Sequence, residues 1–309
     1  MKLFDVRKIW ELAPHNAFTD LIRFNDRWYC SFREGAGHVS DDGKGRIIVS
    51  DDGKQWSSAA LLEADGDVRD PKLCITPDGR LMSVTAAALY RRQPGGSYSG
   101  RDPHQSLAWF SRDGENWGEP LEIGELNWWL WRVSWHRGIA YGVGRETDKR
   151  IPRLYRSTDG MHFEPWVERL FGDTELRGSE ASLLFLPDDR ALCLIRGRDP
   201  APAQLGWAEP PYRQWQWQQL PVNIGGPQLI QLPDGRIIVG GRNNGKPEMQ
   251  LWWLDAATGR LDPALALPSG GDTSYPGMVL HQGMLWISYY SSHEEKTAIY
   301  LARVSVVSD

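Results

Sequence analysis

The chain has 309 residues, 41% of them hydrophobic and 24% charged, with a formal net charge of −5 and a pI near 5.8. The length allows a large core, while the acidic balance excludes the basic footprint of a nucleic-acid binder and no stretch reaches the roughly 18 apolar residues of a membrane span. Sixteen Trp, 32 Gly and 20 Pro, with recurring Asp-Gly pairs, suit short strands joined by tight turns better than long helices.

The N-terminal "MKLFDVRKIWELAPHN" lacks the apolar run of a signal peptide, so a soluble cytoplasmic protein is expected, with export left open should a leader precede it. The first repeating unit begins near Ala17, turns at "FNDRW" (24–28) and turns again at "SDDGKQW" (50–56). The second begins near Asp70, with turns at "TPDGRL" (76–81) and "SRDGENW" (111–117), and the third near Trp129, with "SWHRGIA" (134–140) and "STDGMHF" (157–163). The fourth begins near Glu180 with "LPDDRA" (186–191), and the fifth near Pro227 with "LPDGRI" (232–237) and "LDAATGRL" (254–261). The sixth begins near Tyr275, turns at "LHQGML" (280–285), and runs out of chain after "AIYLARVSV".

Two alternating turn types in six units predict an all-β, six-bladed propeller of four-stranded antiparallel blades, a single domain over 1–309. The N-terminal "LFDVRKIW" is expected to close the ring as the strand missing from the last blade, which removes an exposed edge. Cys30, Cys74 and Cys193 are odd in number and lie in apolar runs, so they are expected to be reduced.

In an antiparallel hairpin the start of the first strand and the end of the second share one end. That end of the blades collects Asp20, Arg33, Glu34, Arg69, Asp70, Arg132, Arg145, Glu146, Glu180, Arg196, Arg242 and Tyr275, with His15, His38 and His293 on nearby loops. A mouth so lined suits a small polar or anionic ligand, although rim arginines and carboxylates also pair with each other. "NWWLWRVSWH" (127–136) offers Trp129 or Trp131 as a sugar-stacking platform, with core packing as the alternative. His15, His38, His136 and His293 lack metal-ligand spacing and no phosphate-cradling loop is present, so neither metal nor cofactor is expected. The S-x-D-G aspartates Asp52, Asp113 and Asp159 read as turn scaffold.

These turns resemble the Asp boxes, or BNR repeats, of the sialidase superfamily, shortened by one residue before the aromatic. "SEASLLFLPDDRALCLIR" resembles the sialidase blade in which a first-strand glutamate precedes a second-strand arginine, here Glu180 and Arg196. The next arginine of that family falls on Arg242 in "IIVGGRNN", and its catalytic tyrosine on Tyr275 in "DTSYPGMVL". "NAFTDLI" departs from the pattern, with Thr19 and Asp20 where sialidases carry the first of three carboxylate-gripping arginines. Arg33 and Arg23 are stand-ins off that position. The acid/base aspartate of the family lies on the loop that is here "REGAGHVSDDGKGR", leaving Glu34, His38, Asp41 and Asp42 as candidates. Asp70 in "RDPKL" matches a substrate-touching Asp-Pro.

The resemblance implies an exo-acting, retaining glycoside hydrolase that removes a terminal anionic sugar from an oligosaccharide or glycoconjugate. Either Tyr275 is the nucleophile with Glu180 as its base, or Glu180 is itself the nucleophile, as in related exo-arabinanase propellers. A uronate-directed polysaccharide lyase and a non-catalytic binding propeller are the alternatives.

Overall fold

The computed structural model describes residues 1–90 and 103–306. Every regular element among them is a strand, and no helix is long and apolar enough to cross a membrane. Blade one holds β2 (His15–Phe24), β3 (Arg27–Gly35), β4 (Lys44–Ser50) and β5 (Ser57–Leu62); blade two holds β6 (Asp67–Ile75), β7 (Leu81–Ala88), β8 (His104–Ser111) and β9 (Leu121–Glu122). Blade three is β10 (Trp128–His136), β11 (Ile139–Glu146), β12 (Pro152–Ser157) and β13 (Glu164–Val167). Blade four is β14 (Gly178–Phe185), β15 (Ala191–Gly197), β16 (Gln204–Ala208) and β17 (Gln216–Gln219). Blade five is β18 (Ile224–Gln231), β19 (Ile237–Asn243), β20 (Glu248–Asp255) and β21 (Arg260–Ala266). Blade six is β22 (Thr273–His281), β23 (Met284–Ser291) and β24 (Ala298–Ser305), with β1 (Lys2–Trp10) paired antiparallel outside β24.

The turns follow local chemistry. In the three hairpins that lack a Pro-Asp pair, two successive residues have positive φ: Asn25 and Asp26 (48° and 60°), Arg137 and Gly138 (48° and 79°), Gln282 and Gly283 (50° and 75°). This backbone matches the right-handed twist of the flanking strands. In each S-x-D-G turn the serine hydroxyl accepts from the glycine N–H at 2.8–2.9 Å and the aspartate accepts from the next two N–H groups at 2.7–3.2 Å.

Between neighbouring blades lies an apolar seam, such as Tyr29, Val49, Val68 and Leu73 between blades one and two, or Phe18, Trp28, Tyr290 and Leu301 between six and one. The first strands touch one another in sequence around the ring and so line its centre. At the last seam Gly277 lies flat against blade one: a Cβ there would overlap the Leu21 N and stand 2.6 Å from the Asp20 carbonyl carbon. Backbone cannot yield as a flexible side chain can. Gly277→Ala is therefore expected to lose about 3 kcal/mol or more, read as a lowered urea midpoint. An unchanged midpoint would show that the seam is looser than this packing.

Candidate active site at the centre of the ring

All six first strands carry the same irregularity. Two residues on the first strand oppose one on the second at Phe18–Thr19, Asp70–Pro71, Trp131–Arg132, Ser179–Glu180, Gly226–Pro227 and Tyr275–Pro276. Phe18, Asp70, Gly226 and Tyr275 within these bulges have φ of 68°, 53°, 55° and 54°. A bulge re-aims the side chain it carries and breaks the alternation of faces. Repeated six times, it brings side chains from separate blades together: Trp131 and Phe18 pack on Tyr275 with ring centroids 5.3 and 5.1 Å away.

Glu180 and Tyr275 meet across the centre, the Tyr275 hydroxyl donating to Glu180 Oε1 at 2.7 Å. Arg196 Nη1 donates to the same oxygen at 2.9 Å, and the Ser179 hydroxyl donates to Oε2. Burial alone would raise the Glu180 pKa, but the Arg196 charge and the donated hydrogen bonds outweigh it and pull the carboxyl down to about 2. The Tyr275 hydroxyl moves the opposite way, well above its ordinary value, because it is buried beside the charges of Glu180 and Asp70. The proton therefore stays on the tyrosine and the negative charge on Glu180.

Asp70 is the contrasting carboxyl. It is 3% exposed and its Oδ1 has no hydrogen-bond partner among the described residues; burial, helped by Glu180 and Asp67 and opposed by Arg69 and Lys72, pushes its pKa up to about 6. The unfolded chain binds that proton more weakly, so the stability Asp70 contributes is full below about pH 4 and is lost as pH rises through about 6. Asp70→Asn removes the ionised form. The melting temperature of that variant, relative to the native chain, is expected to be higher at pH 7.5 than at pH 4.5, and a pH-independent difference would contradict the raised pKa.

Two cations complete the centre. Lys72, buried and pushed down to about pKa 8 by desolvation and by Arg132, donates to the Thr19 carbonyl at 2.6 Å and lies 5.3 Å from the Tyr275 ring centroid. The guanidinium of Arg145 lies 5.1 Å from the Trp129 ring centroid and makes no hydrogen bond among the described residues. Desolvation, and to a lesser degree Arg150, lower its pKa, and the carboxylate of Glu180 is the main charge that opposes them.

Several expected site residues are placed elsewhere. Arg33 has no exposed surface; its guanidinium donates to Asp67, the Gly37 carbonyl and Ser40, so it braces the 36–43 loop and does not face the mouth. Arg69 is tied to Asp67, the His38 carbonyl and the Tyr90 hydroxyl. Asp20 is 1% exposed and accepts from Arg132 Nη1 on both oxygens at 2.9 Å and from the Leu73 N–H, so these two expected ligand contacts neutralise each other. Glu34 accepts from the Trp10 indole and Arg46, and Asp42 accepts from the Ala36 N–H, which leaves both as loop and strand ties. Trp131 is 3% exposed and forms a wall beneath Tyr275, not an open platform.

Arg242 donates to Asn244 Oδ1 at 2.5 Å, has no carboxylate partner among the described residues, and lines a cavity of about 620 Å³ with Asp199, Asn223 and Gly271. His38 is half-exposed and bonds Asp272 with His15 beside it, a grouping that their separation in sequence conceals. Lys72 was not foreseen. Its signal was a lysine two residues beyond Asp70 in an otherwise apolar strand.

The fold is that of a six-bladed propeller shared with sialidases, arabinofuranosidases and arabinanases. A Dyadobacter fermentans protein of unknown function superposes with a TM-score of 0.85 at 18% identity, covering 99% of each chain. An α-L-arabinofuranosidase of Fusarium graminearum, in complex with an iminosugar inhibitor, gives 0.75 at 13% identity with 99% of each chain covered. Trypanosoma rangeli sialidase gives 0.69 at 11% identity, over 98% of this chain and 58% of the sialidase. No protein-family model matches the sequence, and no curated protein sequence matches it.

Proposed function

We propose that the protein is an exo-acting, retaining glycoside hydrolase that removes a terminal anionic sugar. The observation that carries this reading is a pair of buried carboxyls in opposite surroundings: Glu180 accepts from Tyr275, Arg196 and Ser179, which hold it ionised, while Asp70 Oδ1 is buried with no hydrogen-bond partner among the described residues, which favours its protonated form. Glycoside hydrolysis by the retaining or the inverting route needs such a pair, one carboxylate ionised and one carboxyl protonated to donate. The retaining assignment rests on Glu180 acting as nucleophile, and the anomeric configuration of the product tests it. Glycosidase neighbours with the same propeller support the reaction class.

In this reading Glu180 attacks the anomeric carbon as Asp70 gives its proton to the departing glycosidic oxygen. Water then attacks the glycosyl ester, losing its proton to Asp70 and releasing Glu180. Tyr275 is a positioning residue that holds Glu180 Oε1. Arg145 and Arg242, neither paired with a carboxylate among the described residues, would receive the acidic group of the sugar.

Product analysis by NMR and ultraviolet absorbance tests this, using the native chain and Glu180→Gln with oligosaccharides ending in uronate, sialic acid or a neutral pentose. Release of a terminal acidic sugar by the native chain alone, with retained anomeric configuration at first appearance, is expected. An unsaturated product would replace the hydrolase with a lyase. Inertness of both proteins on every substrate would leave a sugar-binding propeller.

A further inference from the structure

The seam between blades six and one holds a second cluster whose use does not depend on the glycosidase reading. His15 opens β2, His38 sits on the loop between β3 and β4, and Asp272 immediately precedes β22. His15 Nε2 lies 3.0 Å and His38 Nδ1 2.6 Å from one and the same oxygen, Asp272 Oδ2. The three donor atoms all lie within 4.8 Å of one another.

The surroundings orient this set. The Tyr290 hydroxyl donates to Asp272 Oδ1 at 3.0 Å, which turns Oδ2 toward the two rings, as outer partners of metal ligands do. His15 Nδ1 is buried without a partner among the described residues, where Nε2 makes the one polar tie of its ring. Phe18 packs against both imidazoles, with centroids 6.2 and 5.2 Å away. Side-chain exposure rises from 9% at His15 through 25% at Asp272 to 50% at His38, so the cluster is closed on one side and open on the other.

We propose that His15 Nε2, His38 Nδ1 and Asp272 Oδ2 bind one divalent d-block cation of the zinc class, leaving an outward coordination position for water or a sugar oxygen. Two imidazoles and a carboxylate form a borderline donor set that suits such ions. Metal–ligand bonds of about 2.0–2.2 Å in a tetrahedral site separate the donors by about 3.3–3.6 Å. The 3.0 Å spacing from His15 to Asp272 therefore has to open by about 0.3–0.6 Å and the 2.6 Å spacing from His38, on its loop, by about 0.7–1.0 Å. Phe18 also touches Tyr275, whose hydroxyl bonds Glu180, so two rings, Phe18 and Tyr275, link the cluster to Glu180.

The test uses the untagged full chain after chelator treatment and dialysis, titrated with Co²⁺ and then with Zn²⁺ in competition. One equivalent of Co²⁺ with the visible absorption of a four- or five-coordinate ion, displaced by one equivalent of Zn²⁺, is expected. His38→Ala, at a half-exposed position that folding tolerates, is expected to weaken binding at least about 100-fold, since loss of an outer partner alone costs 10–100-fold. His293→Ala, outside the cluster, is expected to leave it unchanged. Absence of the one-equivalent spectrum, or equal Co²⁺ affinity in native and His38→Ala chains, would overturn the proposal and leave a histidine–carboxylate hydrogen-bond cluster.

Discussion

Glu180→Gln is expected to lower kcat/KM on the cleaved glycoside by about 10⁴-fold or more, and Tyr275→Phe by only about 10- to 100-fold. The glutamine keeps the shape of the side chain and can still accept from Tyr275, but it cannot form the glycosyl ester. The phenylalanine removes one hydrogen bond to a charged group, worth about 1.5–3 kcal/mol, and leaves Arg196 and Ser179 to hold the carboxylate. Steady-state kinetics on both variants separates the two assignments. If Tyr275→Phe costs as much as Glu180→Gln, the phenol is the nucleophile and the carboxylate its base.

The second large effect concerns stability. Asp67 has no exposed surface and accepts from Arg33 Nε at 2.5 Å and from Arg69 Nη1 at 2.8 Å, with Arg33 equally buried. Deleting the shared anion leaves two guanidiniums in a dry environment. Asp67→Ala is expected to cost about 3–5 kcal/mol. Thermal unfolding should show a fall on the order of 10 °C. Asp51→Ala is the contrast, because its partnership with Arg27 lies at the surface with the aspartate side chain 82% exposed, and the change should stay within about 1 kcal/mol. Equal losses in the two variants would mean that the buried triad is solvated.

The propeller was legible because its punctuation is local. Asp52, Asp113 and Asp159 close their turns with bonds to the next two or three residues, so turn chemistry survives in the sequence even where the strands between are irregular. Glu180, Arg196 and Tyr275 were legible for a related reason: antiparallel geometry fixes which ends of the strands meet. The bulges were not legible. A two-for-one irregularity leaves no compositional mark beyond a proline after Asp70, Gly226 and Tyr275, yet it decides which of Asp70, Pro71 and Lys72 faces the centre.

Pairings across long stretches of chain were hidden too. Arg33 stands at a strand tip as Arg196 does, but Asp67, 34 residues on, captures it, and Asp20 is captured by Arg132, 112 residues on. Charges at one rim can satisfy each other as readily as a ligand, and spacing alone does not say which. His15 and His38 meet Asp272 across 257 and 234 positions, beyond the reach of any ligand-spacing rule.

Pairing β1 with β24 also sets a schedule for biosynthesis. Asp5 and Arg303, joined by two hydrogen bonds, are 298 positions apart. At the usual 5–20 residues per second, the first strand emerges from the ribosome about 15–60 s before its partner. Blades one to five can collapse as they appear, but blade six waits for the last piece of chain, and until then an unpaired nine-residue strand stays available to other sheet edges. Ring closure is thus the last pairing that synthesis allows, and the yield of native protein should depend on how well that early strand is shielded while the rest is made.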